Sequence, residues 1–308
     1  MKKTTFSIFA ALFVMTATAQ VEVKSIEELP ATRNQGYCSP QFAPTGDYLL
    51  FTTSSCQGLV QYNLADNTAR QLTNAENAGY EAKISDGGKM IVFRDVQYRD
   101  NRRYTAIKRI NLENGEVALV DDYSREKYAF DFSGGTIRVA KGKKMQSQRL
   151  LTDIREVENK YVVAIEDMDL VLYTNNVRKV LNPQGKCSYI WPNISPDKQH
   201  LVYNVASGDK FGTYVCDMDG NNVTYLGYVG APQWLGNNYV VGMLDLWGDG
   251  YNYTHSPIVT IRIDAQNLTI HKIPGHEIVL YPTANKEGNK IAFAADGAVY
   301  MMNVEIKD

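Results

Sequence analysis

Residues 192–203 read PNISPDKQHLVY, and the same pattern of a polar turn followed by an apolar run recurs along the chain. The other clear copies are PQFAPTGDYLLF at 40–51, AKISDGGKMIVF at 82–93 and PTANKEGNKIAF at 282–293. In all four copies, seven positions separate the residue at 44, 86, 196 or 286 from the closing aromatic residue. A recurrence at fixed spacing is the sequence signature of a repeat architecture.

Each copy predicts a β-hairpin, because Pro, Gly and Asp supply turn dihedrals and the apolar run supplies the second strand. A third alternating strand follows, as at 59–64 (LVQYNL) and 213–218 (TYVCDM), and then a shorter fourth strand, as at 69–72 and 223–226. Four short antiparallel strands in about 40 residues are typical of one blade of a β-propeller.

Weaker copies supply the remaining blades. One begins at 232–236 and continues at 239–241, and strand candidates between residues 128 and 185, among them 129–132, 136–140, 161–165 and 170–173, are enough for two trimmed blades. The prediction is therefore an all-β propeller of four-stranded antiparallel blades, with seven blades, or six as the alternative. The alternating residues 21–26 are expected to pair with 300–304 in the last blade, which would close the ring and remove an exposed edge.

The N-terminus predicts export. Lys2 and Lys3 precede a short apolar stretch, and Ala17-Thr18-Ala19 forms a cleavage site, so residues 1–19 are interpreted as a signal peptide cleaved after Ala19. Residues 20–308 would then form one propeller domain, periplasmic or extracellular, without a transmembrane segment. Losing the two lysines moves the formal charge from −2 to −4, which argues against nucleic acid as a partner.

Four cysteines, at positions 38, 56, 187 and 216, leave the disulfide pattern open. An oxidising compartment allows disulfides, and spacing favours Cys38–Cys56 and Cys187–Cys216 because each pair falls within one repeat. Free buried thiols are the alternative. No pair has the C-x-x-C spacing of a zinc or redox motif.

At these residues the chain resembles the WD40-like repeats of TolB-type propellers, which have a Ser-Pro-Asp-Gly-like turn before an apolar strand. Residues 194–197 (ISPD) are the nearest match, and 84–88 and 42–46 are partial ones. The resemblance implies a propeller and an envelope protein that binds proteins or glycans. TolB's own N-terminal domain is not expected here, so its partner binding is not carried over, and fold likeness alone does not establish function.

The candidate site lies on the face where second-to-third strand loops and inter-blade loops meet. Long loops in a compact repeat are typical functional positions. The candidate binding residues from three such loops are Tyr98, Arg102, Arg103, Tyr104, Phe211, Trp247, Asp249, Tyr251, Tyr253 and His255. The inter-blade entries add Tyr37, Tyr80, Tyr189 and Tyr281, with Tyr128 at the corresponding place, as rings around the channel mouth or as wedges between blades.

No catalytic motif is visible: G-x-S-x-G, H-E-x-x-H and the P-loop are all absent. No metal site and no cofactor are predicted, although a divalent cation stays possible at Asp245 and Asp249. His271 and His276 flank a short turn, where a solvated role is expected over a metal site. Asp95, Asp245 and Asp249 are the carboxylate candidates for sugar cleavage.

Two functions follow. The first is a monomeric binding module that recognises an envelope or extracellular protein, or a glycan, through the aromatic loop face. The second is a polysaccharide-active lyase or hydrolase with acidic residues at the same mouth, either with or without a metal. The absence of chemical motifs favours the binding module.

Overall fold

The computed structural model describes residues 20–126, 128–133, 135–150, 161–175, 177–206, 208–245, 247–248 and 252–307. In this part of the chain the secondary structure is 28 β-strands and two short 3-10 segments, Pro30–Thr32 and Gly208–Lys210. The strands form seven antiparallel sheets in a ring, plus one two-stranded hairpin. The prediction of an all-β propeller with seven blades is confirmed.

The first two blades have four strands each. Blade 1 consists of β2 (Tyr37–Phe42), β3 (Tyr48–Thr53), β4 (Leu59–Asn63) and β5 (Ala69–Thr73). Blade 2 consists of β6 (Lys83–Ile84), β7 (Met90–Arg99), β8 (Arg102–Asn111) and β9 (Val117–Ser124). Strands β7 and β8 are ten residues long and pair along their whole length, so blade 2 projects a hairpin beyond the ring.

The next two blades have three described strands each, which agrees with the prediction of two trimmed blades. Blade 3 consists of β10 (Tyr128–Ser133), β11 (Thr136–Lys141) and β12 (Lys144–Arg149). Blade 4 consists of β13 (Tyr161–Glu166), β14 (Asp169–Thr174) and β15 (Val177–Val180).

The last three blades have four strands each. Blade 5 consists of β16 (Tyr189–Ile194), β17 (His200–Val205), β18 (Gly212–Asp217) and β19 (Thr224–Tyr225). Blade 6 consists of β20 (Gly230–Leu235), β21 (Tyr239–Met243), β24 (Ile258–Arg262) and β25 (Leu268–His271), with the separate hairpin β22 (Trp247–Gly248) and β23 (Tyr253–His255) between them. Blade 7 consists of β26 (Leu280–Ala284), β27 (Lys290–Ala295), β28 (Ala298–Lys307) and β1 (Gln20–Glu28).

The recurring glycine of the repeat has a conformational cause. Two positions after residues 44, 86 and 286 the chain adopts a left-handed backbone at Gly46, Gly88 and Gly288, with φ of +75°, +70° and +70°. Glycine tolerates this region because it lacks a Cβ. The fourth copy has Lys198 at the same place, also left-handed, so the turn geometry is retained without the glycine.

The core lies between blades, because the second strands are buried on both faces. Strand β7 shows the arrangement: Ile91 and Phe93 pack against blade 1, and Met90 and Val92 pack against Phe130 of blade 3. Alternate residues of one strand therefore join two neighbouring blades. Seven apolar clusters of this kind hold the described ring together.

The ring closes through the N-terminal strand, as predicted. Strand β1 pairs antiparallel with β28, from Val21 opposite Ile306 to Glu28 opposite Tyr300. Val21 is buried in the core between blades 6 and 7. The first and last described strands thus share one sheet, in which β28 is paired along both of its edges.

Candidate functional site

Hydrogen bonds between loops define one face of the propeller. The backbone N–H of Gly79, in an inter-blade loop, donates to Cys56 O in a second-to-third strand loop at 3.0 Å. The N–H of Gly36 donates to Gly297 O at 3.0 Å, and that of Ala206 donates to Ser188 O at 2.8 Å. Both loop types therefore meet on the same side, which we call the upper face.

A residue with strained backbone recurs at the beginning of several innermost strands, just below the upper face. Five residues there have left-handed backbone with φ of +47° to +55°: Ser39, Glu81, Trp191, Ala231 and Tyr281. Proline follows four of them and Ala82 follows Glu81. The pairing register shifts at this point in β2, β16, β20 and β26, so the feature is a β-bulge. Left-handed backbone costs a non-glycine residue about 1 to 2 kcal/mol, and such strain clusters at functional sites.

The inter-blade tyrosines divide into two groups. Tyr189 is only 2% exposed and packs edge-on against Tyr203, and half-buried Tyr37 stacks on Phe51 with ring centroids 5.7 Å apart, so both act as wedges between strands. Tyr80 and Tyr281 are 47% and 38% exposed. The side chain of Tyr128 lies outside the described residues. Of the predicted rings, Tyr80 and Tyr281 are therefore accessible to a ligand.

Trp191 is an exposed aromatic that the sequence reasoning missed. It occupies the left-handed bulge position in blade 5, the position that Tyr281 occupies in blade 7. An alignment of the repeat copies on their first proline would have identified Trp191, because it places Trp191-Pro192 beside Tyr281-Pro282.

The predicted long loop at 95–104 is instead a regular hairpin. Strands β7 and β8 continue to a two-residue turn at Asp100 and Asn101, both with positive φ, as a tight primed turn requires. Tyr98 is largely exposed near the tip, Arg102 and Arg103 are exposed, and Tyr104 is half-buried. The expectation of a long loop was wrong, because β7 and β8 keep their strand alternation and their pairing as far as the turn of the projecting hairpin.

Polar contacts stiffen the base of this hairpin. The Asp95 carboxylate is buried, accepts a hydrogen bond of 2.5 Å from the Tyr123 hydroxyl and pairs with Lys108 Nζ at 2.5 Å. Burial opposes the charge on Lys108, but its bonds to Asp95 and Tyr123 outweigh that and raise its pKa. The Arg99 guanidinium stacks over the rings of Tyr104 and Tyr123. Asp95 is thus engaged in structure rather than open to a substrate.

A cavity of about 810 Å³ lies beside the hairpin, lined by residues of blades 2, 3 and 4 and by Pro192 of blade 5. Arg102, Arg103 and Arg125 line it, together with Tyr80. Within the described part of the chain, these three guanidinium groups have no ion pair or side-chain hydrogen bond. We call this space the arginine cavity, and its volume falls in the range of small-molecule sites.

The arginine cavity also contains a fixed cation. Arg94 is buried between the rings of Tyr80 and Phe130, at 4.9 and 4.7 Å from its guanidinium carbon to the ring centroids. It donates to Tyr80 O at 2.8 Å and pairs with Glu81 at 2.9 Å. Arg94 therefore positions the Tyr80 ring and the left-handed backbone at Glu81.

Most carboxylates of the cavity are already paired. Glu166 pairs with Arg178 at 2.8 Å and accepts a hydrogen bond from Tyr173, and Asp167 lies 3.9 Å from Lys143 Nζ. Among the described residues, Glu126 alone of the four lining carboxylates has no ion pair in the structure. Among the described residues that line the cavity, three cations without an ion pair thus accompany one carboxylate without an ion pair.

The other predicted loops lie on blades 5 and 6. Phe211 stacks on Tyr228 with centroids 4.9 Å apart, and burial and a hydrogen bond to Asp245 raise the pKa of Tyr228. Tyr253 and His255 are exposed, and His255 pairs through the backbone with Trp247. Asp249, Tyr251 and the Trp247 side chain fall outside the described residues. Asp245 is buried, so it does not reach the surface of the mouth.

The histidines do not form a metal site in the described residues. His271, expected at the surface, is instead buried, where its Nε2 lies 2.8 Å from Thr260 Oγ1, and burial lowers its pKa. His276 Nδ1 lies 2.6 Å from Asp296 and its ring packs on Tyr300. No group of three or more potential metal-ligating residues occurs in the part of the chain that the structure describes.

All four cysteines are free thiols in the structure, so neither favoured disulfide is formed. Cys38 and Cys216 are buried, and burial raises the pKa of both thiols, for Cys216 to about 12. The alternative of free buried thiols describes these two residues.

The fold defines a seven-bladed β-propeller. No helix in the described residues is long and apolar enough to cross a membrane. The predicted signal peptide, residues 1–19, lies outside the described residues.

Comparison with solved structures supports the fold assignment. A putative TolB from Agrobacterium tumefaciens is similar over 94% of this chain and 99% of its own, with 14% identity and a TM-score of 0.55. TolB from Acinetobacter baumannii matches 88% of this chain at 12% identity and a TM-score of 0.51, and the likeness spans 55% of that protein's length. The Niastella koreensis GH74 enzyme matches 90% of this chain and 53% of its own, with 9% identity and a TM-score of 0.61.

Identities this low show the fold alone. No protein-family model matches the sequence, and no curated protein matches it.

Proposed function

We propose that this chain is an exported propeller that binds a glycan or a protein partner on its upper face, at the arginine cavity and the adjoining aromatic residues. The observation that supports this is the arginine cavity itself, which lies beside the blade 2 hairpin and has the exposed Tyr80 ring in its wall. Aromatic side chains offer apolar area and a hydrogen bond together, which suits recognition of sugars and of protein surfaces.

Binding fits the cavity better than catalysis does. Glycoside hydrolysis uses two carboxyl groups on opposite sides of the scissile bond. In the arginine cavity Glu81, Glu166 and Asp167 face cations, and a carboxylate held in an ion pair is a poor proton donor. The structural likeness to a GH74 enzyme concerns the fold, and it keeps sugar cleavage as the competing function.

The experiment is a glycan array combined with a pull-down from an envelope extract, using residues 20–308. We expect the double variant Tyr80→Ala with Trp191→Ala to lose at least tenfold in affinity for whatever the wild type retains, since aromatic anchors dominate such interfaces. Tyr225→Ala, an exposed aromatic on the outer strand β19, is the matched control.

Two results would contradict the proposal. One is retention of the same ligands by the Tyr80/Trp191 variant while its thermal midpoint is unchanged. The other is cleavage of a retained glycan, seen as shorter products by mass spectrometry, which would favour the polysaccharide-active enzyme.

A further inference from the structure

The charge of the arginine cavity points to the chemistry of its ligand. Arg102 and Arg103 come from strand β8 of blade 2, and Arg125 comes from the loop that enters blade 3. Three separate backbone positions thus deliver guanidinium groups to one concave space. The whole chain has a net negative formal charge, so this local excess of cations is not a consequence of composition.

The three arginines differ from the other cations around the cavity. Arg94 pairs with Glu81, and Lys143 lies near Asp167, so their charges are compensated inside the protein. Across the described residues, Arg102, Arg103 and Arg125 have no such partner. Their charge is therefore available to a group from outside.

Guanidinium groups favour particular anions. The planar fork of arginine donates two parallel N–H bonds to a carboxylate, sulfate or phosphate, and it also stacks on flat surfaces. Near Tyr80 the cavity combines this fork with an exposed aromatic ring. Sugar rings stack on aromatic faces. An exposed tyrosine beside the arginines therefore favours an acidic sugar over an acidic peptide, which needs no aromatic ring next to its carboxylates.

The size of the cavity further restricts the class of ligand that it can hold. About 810 Å³ holds a ligand of a few sugar units and is small for a folded protein surface, which requires a broad and flatter contact area. We propose that the arginine cavity binds a short acidic oligosaccharide, whose carboxylate or sulfate groups are held by Arg102, Arg103 and Arg125 and one of whose rings stacks on Tyr80. This proposal rests on the proposed function and specifies the ligand of the same site.

Calorimetric titration of residues 20–308 tests it with four probes: a hyaluronan tetrasaccharide, which has carboxylates only, a heparin tetrasaccharide, which also has sulfates, cellotetraose, which is neutral, and hexaglutamate. We expect at least one acidic tetrasaccharide to bind at least tenfold more tightly than cellotetraose and hexaglutamate. The comparison of the two acidic sugars distinguishes carboxylate from sulfate as the anchoring group.

The variant Arg102→Gln with Arg103→Gln should weaken that binding at least tenfold, and Arg125→Gln should do so independently. Raising the salt concentration should weaken wild-type binding more than variant binding, because the variant has fewer charges to screen. Arg70→Gln, an exposed arginine bonded to Gln61 on the outer strands of blade 1, is the matched control and should leave affinity unchanged.

Three outcomes would overturn the acidic-oligosaccharide proposal: no binding of either acidic sugar, equal binding of cellotetraose or hexaglutamate, or unchanged affinity in folded arginine variants. The protein could retain a neutral glycan or a protein partner in the array and pull-down and still bind neither acidic sugar in these titrations. In that case the proposed function stands and only the acidic-oligosaccharide proposal is rejected.

Discussion

Gly79 shows how closely a single residue is constrained where two blades meet. A Cβ at this position would lie 2.0 Å from Thr52 Oγ1 and 2.2 Å from Thr52 Cβ, which is impossible without movement. Thr52 is itself fixed, because its hydroxyl donates to Gly58 O at 2.9 Å. The loop before blade 2 therefore needs glycine for close approach rather than for an unusual φ.

We predict that Gly79→Ala lowers the free energy of unfolding by about 2 kcal/mol or more through overpacking. Gly87→Ala is the matched control: a Cβ there meets nothing within 4 Å, so its effect should stay within about 0.5 kcal/mol. Urea denaturation of the two variants makes the comparison. Equal stability of Gly79→Ala and wild type would show that the junction can relax.

His271 should make stability depend on pH. Burial lowers its pKa below the ordinary value of 6.5, so the folded protein holds it neutral while the unfolded chain binds a proton. The stability that this group contributes is fully present above the pKa of the unfolded chain. It is lost as the pH falls from that pKa towards the lower pKa of the folded protein, at up to about 1.4 kcal/mol per pH unit.

We therefore predict that His271→Gln, which retains a polar partner for Thr260, loses less stability than the wild type between pH 7 and pH 5. Denaturation at the two pH values measures the difference. His255→Gln, at an exposed position, should follow the wild type. Parallel curves for wild type and His271→Gln would refute the assignment.

At the level of strands, the sequence predicted the features that depend on residues a few positions apart in the chain. The four hairpins at 40–51, 82–93, 192–203 and 282–293 were readable because turn residues and alternation act within a few positions. The trimmed blades were countable for the same reason. The left-handed bulge was not predicted, although proline marks it, because proline normally directs the preceding residue to extended backbone.

The candidate site was only partly predictable for a related reason. Loop aromatics such as Tyr80 and Tyr281 were identified, but whether a tyrosine lies at the surface or between strands depends on the neighbouring blade, as Tyr189 shows. Arg125 was missed because its role depends on its proximity to Arg102 and Arg103, which lie on strand β8, far earlier in the chain. Convergence of side chains across a ring has no local signature in sequence.

For the molecule as a whole, pairing of β1 with β28 joins the N-terminal strand to the last blade and closes the ring. Val21 is buried in the core shared by blades 6 and 7, and its strand is paired with β28 only. We predict that Val21→Asp costs about 3 kcal/mol or more, because it buries an unpaired charge. Glu27→Gln, exposed on the same strand, should change stability by less than about 0.5 kcal/mol.

Thermal unfolding of both variants, followed by circular dichroism, makes the measurement. A normal midpoint for Val21→Asp would mean that the seven sheets hold together without the N-terminal strand. In that case β1 would be an accessory of blade 7 rather than its closing strand.

The shared sheet of blade 7 also orders the events of biosynthesis. Of the described strands, β1 is synthesised first, yet its partner β28 is synthesised after all the others. Until β28 is made, the nascent chain therefore displays an unpaired strand edge, of the kind that favours pairing with another chain. Synthesis of β28, rather than completion of any of the first six blades, is the step at which that hazard ends.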